Sequence, residues 1–274
     1  MTFLRGLSLP RQHLRSWMAA LWLGLSVSSA QALAAEGSDR IDRIVLVHGA
    51  FTDGSIWAPV ISRLQAMGYR VTAVQIPLQS LADDVAHVAR VLRRQDGPVL
   101  LVGHSWGGAV ITQAGNAANV AGLAYLSALA PDSGESVAGL LQRLGTPMQG
   151  LQPDADGLVW LDDARQFRQQ LAADLSPARA RVLAAVQQPI AAQCFTAPVT
   201  QAAWRHKPSW YLQTEDDQAL PLAAQHAIAR QMGAHVLRLP SSHLSMQAHP
   251  RAVAAWLDRA ARQAAHPASP QTAH

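Results

Sequence analysis

Short, β-branched apolar runs alternate with amphipathic stretches along most of this 274-residue chain. Ile44-Val45-Leu46-Val47, inside the segment Ile41 to His48, has the look of a buried strand that enters a loop at His48-Gly49-Ala50-Phe51. Trp57 to Met67 has a helical period and stops at Gly68. Tyr69 to Val74 is predicted as a second strand, and Leu81 to Leu92 as a helix capped by Ser80. Pro98 to Val102 is a continuous apolar run, followed by a helix over Gly108 to Ala117 and a fourth strand over Val120 to Leu129. Pro208 to Gln213 and His235 to Leu239 supply two more strands, with helices at Ala219 to Met232 and Arg251 to Ala261. Strands that alternate with helices predict a parallel sheet joined by right-handed crossovers. Binding residues in such sheets gather at the carboxyl ends of the strands, where His48, Ser105 and Asp132 fall.

Between Ser133 and about Lys207 this alternation lapses. Helical stretches at Val137 to Leu144, Asp162 to Leu175 and Ala178 to Gln187 are separated by turns containing Gly and Pro, and no convincing strand appears. The segment is expected to form a helical cap above the strand ends. The predicted organisation is therefore a core over residues 35–132 and 208–263, a cap over 133–207 and a frayed tail over 264–274. There is no internal repeat.

The first 34 residues change the reading of charge. They hold Arg5, Arg11 and Arg15 and no acid, so removing three positives from the formal net charge of +4 leaves +1. Nothing in that balance points to nucleic acid. Three arginines, then an apolar stretch from Trp17 to Val27, then small residues around Ala30, Ala32, Ala34 and Ala35 read as a signal peptide with several possible cleavage points. The apolar stretch is too short to span a bilayer comfortably. The expected location is periplasmic or secreted, with no stable membrane association after cleavage. Cys194 is the sole cysteine, which excludes an intramolecular disulfide and a Cys-based zinc site. It reads as a small buried apolar side chain.

The chemistry is concentrated at Gly103-His104-Ser105-Trp106-Gly107. A strand running straight into G-x-S-x-G and on into a helix is the context of a nucleophile elbow, where a serine sits on a strained turn and small neighbours let the backbone pass. A serine hydroxyl needs a base, and the base needs an orienting carboxylate. Elbows of this kind take their partners in the order Ser, acid, His. His243, just after the last strand, fits as base better than His206, His226, His235 or His249. The acid should follow the strand ending at Gln213, where Glu215, Asp216 and Asp217 stand together. Asp217, ahead of an apolar residue and a helix-opening proline, is favoured; Asp216 is second and Asp132 third. The oxyanion should be held by the backbone N–H of Trp106 and of Ala50, with Phe51 the alternative to Ala50. Phe51 and Trp106 flank that point and could wall a substrate pocket. His48 and His104 precede the serine and read as structural, and Asp83 and Asp84 read as first-turn acids complementing a helix dipole. No sequence motif points to a nucleotide, metal or other cofactor.

Four separated blocks carry a resemblance: Leu46 to Trp57, Pro77 to Val85, Leu101 to Ile111 and Ser242 to Met246. In order, they resemble the α/β-hydrolase superfamily, and within it the small-esterase branch related to plant methylesterases and hydroxynitrile lyases. The resemblance spans about residues 43–257. It implies an α/β fold, a mostly parallel sheet flanked by helices with a helical cap inserted after the sixth strand. It also implies Ser105, Asp217 and His243 as a triad. Where the branch commonly has Tyr or Leu after the nucleophile, this chain has Trp106. Its hydroxynitrile lyases carry a lysine after the catalytic histidine and a threonine in the oxyanion loop; here those positions are Leu244 and Gly49. Cleavage of a small-molecule carboxylic ester through an acyl-enzyme, without a cofactor, is therefore the expected activity. Amide or lactone hydrolysis, lyase chemistry and a non-catalytic binding role are the alternatives.

Overall fold

The computed structural model describes residues 41–147 and 152–266. The predicted signal peptide over 1–34 lies outside them, as do residues 267–274 of the predicted tail over 264–274; Ala264 and Ala265 instead close the helix that begins at Pro250, with Ala264 buried. Six strands form one sheet in the order β2-β1-β3-β4-β7-β8, and every pairing in it is parallel. Its centre is built from β1 (Arg43–Val47), β3 (Val99–His104), β4 (Val120–Leu126) and β7 (Ser209–Thr214). β1, β3 and β4 are near-continuous apolar runs, and every residue of β3 and β7 is buried, because both faces are covered by helices. The edge strands β2 (Arg70–Val74) and β8 (His235–Leu239) are more exposed and carry Arg70 and Arg238.

The helices follow the predicted positions with small shifts at their ends. They are α1 (Ala58–Ala66), α2 (Leu81–Leu92), α3 (Trp106–Ala114), α7 (Leu222–Met232), the short α8 (Ser245–Ala248) and α9 (Pro250–Ala265). In α2 the Ser80 hydroxyl accepts from the Asp83 N–H at 3.0 Å, and Leu81, Asp84, Val88 and Leu92 form its buried face. Helix α7 starts at Leu222 rather than Ala219. The intervening amides of Ala219 and Leu220 instead donate to the Asp217 carboxylate.

The insertion departs from expectation in two ways. Four sheet strands precede it and two follow, so it enters after the fourth strand rather than the sixth. It also holds a small antiparallel pairing, β5 (Leu158–Val159) with β6 (Ile190–Ala191). Two residues per strand are too few to show a period in sequence. Its helices are α4 (Val137–Arg143), α5 (Ala164–Leu171) and α6 (Pro177–Ala185). Helix α5 is shorter than the predicted Asp162 to Leu175 because the chain turns after Leu171. Arg168 donates there to the carbonyls of Ala173 and Leu175. No helix among the described residues is long and apolar enough to cross a membrane.

Candidate active site

Ser105 occupies the turn between β3 and α3 at φ 51° and ψ −121°, a region that a non-glycine residue adopts only when its surroundings enforce it. The enforcement is visible on both sides. The Ser105 carbonyl accepts from the N–H groups of Gly108 (2.9 Å) and Leu129 (3.1 Å). A Cβ on Gly103 would stand 2.6 Å from the Gly107 carbonyl oxygen, and one on Gly107 2.6 Å from that of His48. Only glycines let these backbones cross, which is the physical content of G-x-S-x-G.

His243 follows β8, and its Nδ1 lies 2.7 Å from Asp217 Oδ2. Both side chains are buried. The Asp217 carboxylate is filled by further donors: the Thr214 hydroxyl at 2.8 Å, Gln225 Nε2 at 3.2 Å, and the Ala219 and Leu220 amides at 2.9 Å each. An acceptor-only ionised carboxylate suits that set. With Asp217 accepting a hydrogen bond from Nδ1–H, His243 Nε2 is left as the basic nitrogen. Glu215 and Asp216 are exposed, and Asp132 is ion-paired with Arg205, so the structure brings neither alternative acid to His243. That ion pair also holds the Asp132 carboxyl below the usual range.

The loop after β1 lies against the elbow. His48 is fully buried; its Nε2 accepts from the Ile76 N–H at 3.1 Å, so its Nδ1–H donates to the Gly49 carbonyl at 2.9 Å. Burial lowers its pKa and keeps the ring neutral. His104 is likewise buried and donates from Nε2 to the His243 backbone carbonyl at 3.1 Å. Its pKa falls well below 6.5 through burial first and the nearby His243 ring second. One histidine thus fixes the loop and the other braces His243, in keeping with structural roles. Gly49 packs so closely on the elbow that an added Cβ would stand 2.7 Å from Ser105 Cβ. A threonine cannot occupy that place in this geometry.

Ala50, Phe51, Ser105, Trp106 and His243 line one cavity of about 400 Å³. Leu129, Leu141, Leu171, Phe195 and Leu220 give the remaining wall its large apolar side chains. Thr146, Gln170 and Gln218 add polarity, and no Lys, Arg, Asp or Glu among the described residues lines it. No group of three or more His, Cys, Asp or Glu among the described residues could hold a metal ion. Cys194 is buried, and burial pushes its thiol up to about 12, which leaves it protonated and inert.

Several supporting residues escaped sequence reasoning. Thr214 and Gln225 complete the shell of Asp217. Asp174, in the insertion, accepts from the Ser241 hydroxyl at 2.8 Å, from the Ser242 amide at 2.9 Å and from the Ser242 hydroxyl, tying the insertion to the loop that carries His243. Asp84, a first-turn acid of α2 as expected, does more than face the helix dipole. It is completely buried and accepts the Trp106 indole N–H at 2.7 Å. Its signal was present in the sequence, since it stands on the buried stripe with Leu81, Val88 and Leu92.

The alpha/beta hydrolase family matches residues 44–256. An alpha/beta hydrolase of Aspergillus novofumigatus, nvfD, is 30% identical over 247 residues, covering 81% of this chain and 97% of its own. A pyrethroid hydrolase from Sphingobium faniae JZ-2 superposes with a TM-score of 0.69 at 25% identity, over 83% of this chain and 99% of that one. A methylesterase from Arabidopsis, MES16, shares the fold with a TM-score of 0.67 at 20% identity, over 80% and 98% respectively.

Proposed function

This chain belongs to the alpha/beta hydrolase family, and from that premise we propose that it is an exported carboxylic-ester hydrolase with Ser105, His243 and Asp217 as its triad. The carrying observation is the buried 2.7 Å contact of His243 Nδ1 with Asp217 Oδ2, in a histidine that shares its cavity with the strained Ser105. In this reading Ser105 Oγ attacks the ester carbonyl as His243 Nε2 takes its proton. The oxyanion is met by the N–H groups of Ala50 and Trp106; the latter, as the first residue of α3, has no acceptor within its own helix. The imidazolium, stabilised by Asp217, then protonates the leaving alcohol. Water activated by the same nitrogen releases the acid and restores Ser105.

The apolar cavity supports a small, uncharged ester as substrate. Similarity to a pyrethroid hydrolase supports the same class. Leu244, fully buried, and the closed space at Gly49 disfavour the lyase reading. Export rests on the three arginines, apolar stretch and small residues that open the chain. The test is a panel of p-nitrophenyl and alkyl esters with graded acyl chains, alongside p-nitroanilides. Faster turnover of uncharged esters than of anionic esters or anilides is expected. Failure to hydrolyse any ester by a folded preparation would overturn the assignment and favour a binding role.

A further inference from the structure

Asp84 is a carboxylate placed where a leucine would pack at lower cost. It sits on the buried stripe of α2, fully shielded from solvent, and no Lys or Arg among the described residues pairs with it. Burial pushes its carboxyl up to about 6, the direction expected of a charge taken out of water without a counter-ion. Two donors face it: the Trp106 indole N–H at 2.7 Å on Oδ2, and the Leu78 backbone N–H at 2.8 Å on Oδ1. An ionised carboxylate satisfies both donors, whereas an asparagine would turn its NH2 toward one of them.

What those donors belong to gives the arrangement its meaning. Trp106 follows Ser105, and its ring meets that of Phe195 edge-on with centroids 5.6 Å apart. Phe195 is part of the cavity wall and comes from the cap. Leu78, held at φ 57°, accepts through its carbonyl from the Ala191 N–H at 2.8 Å and from Cys194 Sγ at 3.5 Å. Asp84 therefore ties together the elbow, the loop after β2 and the cap segment ending in Phe195.

We propose that Asp84 is a positioning residue that acts through Trp106, fixing the oxyanion amide beside Ser105 and the Phe195 wall that limits the acyl group. The inference rests on the ester-hydrolase reading above. A small displacement of a donor aimed at a developing oxyanion lowers turnover more than ground-state binding.

The test is a double-mutant cycle with Asp84→Asn, Trp106→Phe and the double variant in the full-length protein. kcat and KM are measured on p-nitrophenyl acetate and octanoate, with thermal unfolding recorded alongside. In the Trp106 background, Asp84→Asn is expected to lower kcat about 10- to 100-fold with KM changed less than threefold, and to shift the acetate/octanoate ratio. In the Trp106→Phe background the same change is expected to cost less than threefold. Equal losses in both backgrounds, or a lower unfolding temperature with unchanged kcat and acyl preference, would overturn the proposal. Should Asp84→Asn fail to fold, Trp106→Phe alone decides: kcat and acyl preference equal to the parent's would overturn it, and the predicted loss would support it. If the parent shows no ester hydrolysis abolished by Ser105→Ala, it is the underlying reading that fails, and the two failures are thereby distinguished.

Discussion

Replacing Gly49 by Ala isolates the fit between the elbow and the loop after β1, the proposed oxyanion loop. The new Cβ would stand 2.7 Å from Ser105 Cβ, 2.9 Å from His104 Nδ1 and 3.1 Å from the His104 carbonyl oxygen. Carbon atoms rest at ~3.5 Å or more, so the first contact is short by about 0.8 Å. Neither neighbour has room to give. Ser105 is locked at positive φ, and His104 is buried and hydrogen-bonded to the His243 carbonyl. The loop must retreat, taking the Ala50 amide with it. A misplacement of about 1 Å costs on the order of 100-fold in rate, and overpacking of this kind costs about 1–3 kcal/mol in stability. The assay is steady-state hydrolysis of a p-nitrophenyl ester by parent and Gly49→Ala, with circular dichroism and thermal unfolding to establish that the variant is folded. The expected result is a folded enzyme with kcat lowered about 100-fold and KM little changed. A folded Gly49→Ala enzyme within threefold of the parent's kcat would refute the placement of this loop against Ser105.

Two further outcomes follow from the carboxylates. Asp217→Asn must turn its amide toward donors on one oxygen or the other, His243, Thr214 and Gln225 on Oδ2 or the Ala219 and Leu220 amides on Oδ1. It should lower kcat by about 10³- to 10⁴-fold, whereas Asp216→Asn should stay within about twofold; steady-state kinetics on the two variants check this. Asp84 gives a pH signature. Its pKa rises from 3.8 to about 6 on folding, so between these values the native state holds a proton that the unfolded chain releases. Stability from this group is therefore greatest below pH 4 and declines as pH rises to about 6, by about 3 kcal/mol in all. The urea-unfolding free energy of the parent minus that of Asp84→Asn should fall over this window, and a flat difference would contradict it.

Sequence pattern revealed most of the architecture because β1, β3 and β4 are apolar runs of a kind that central parallel strands require. That Ser105 and His243 share one cavity is legible from motif and chain order, and the contact of Asp217 with His243 from the place of Asp217 ahead of Leu220 and Pro221. What escaped was set by distant contacts. Asp174 reaches Ser241 and Ser242 across 67 and 68 positions, and no local period records such a pairing. Asp84 does stand in the first turn of α2, as its position implies, but the helix dipole accounts for only part of its role. Its stripe with Leu81 and Val88 pointed inward, and the partner that explains it, Trp106, lies 22 positions away. The β5–β6 pairing is too short for alternation to register.

Ser105 is proposed as the nucleophile of an acyl-transfer site. Its most direct test is mass spectrometry of the folded protein after treatment with a fluorophosphonate, in parallel with Ser105→Ala. The account predicts a single stoichiometric adduct on the peptide containing Ser105, loss of ester hydrolysis as the adduct forms, and neither labelling nor turnover in the variant. Absence of an adduct on folded parent protein, or labelling and hydrolysis that persist in Ser105→Ala, would contradict it.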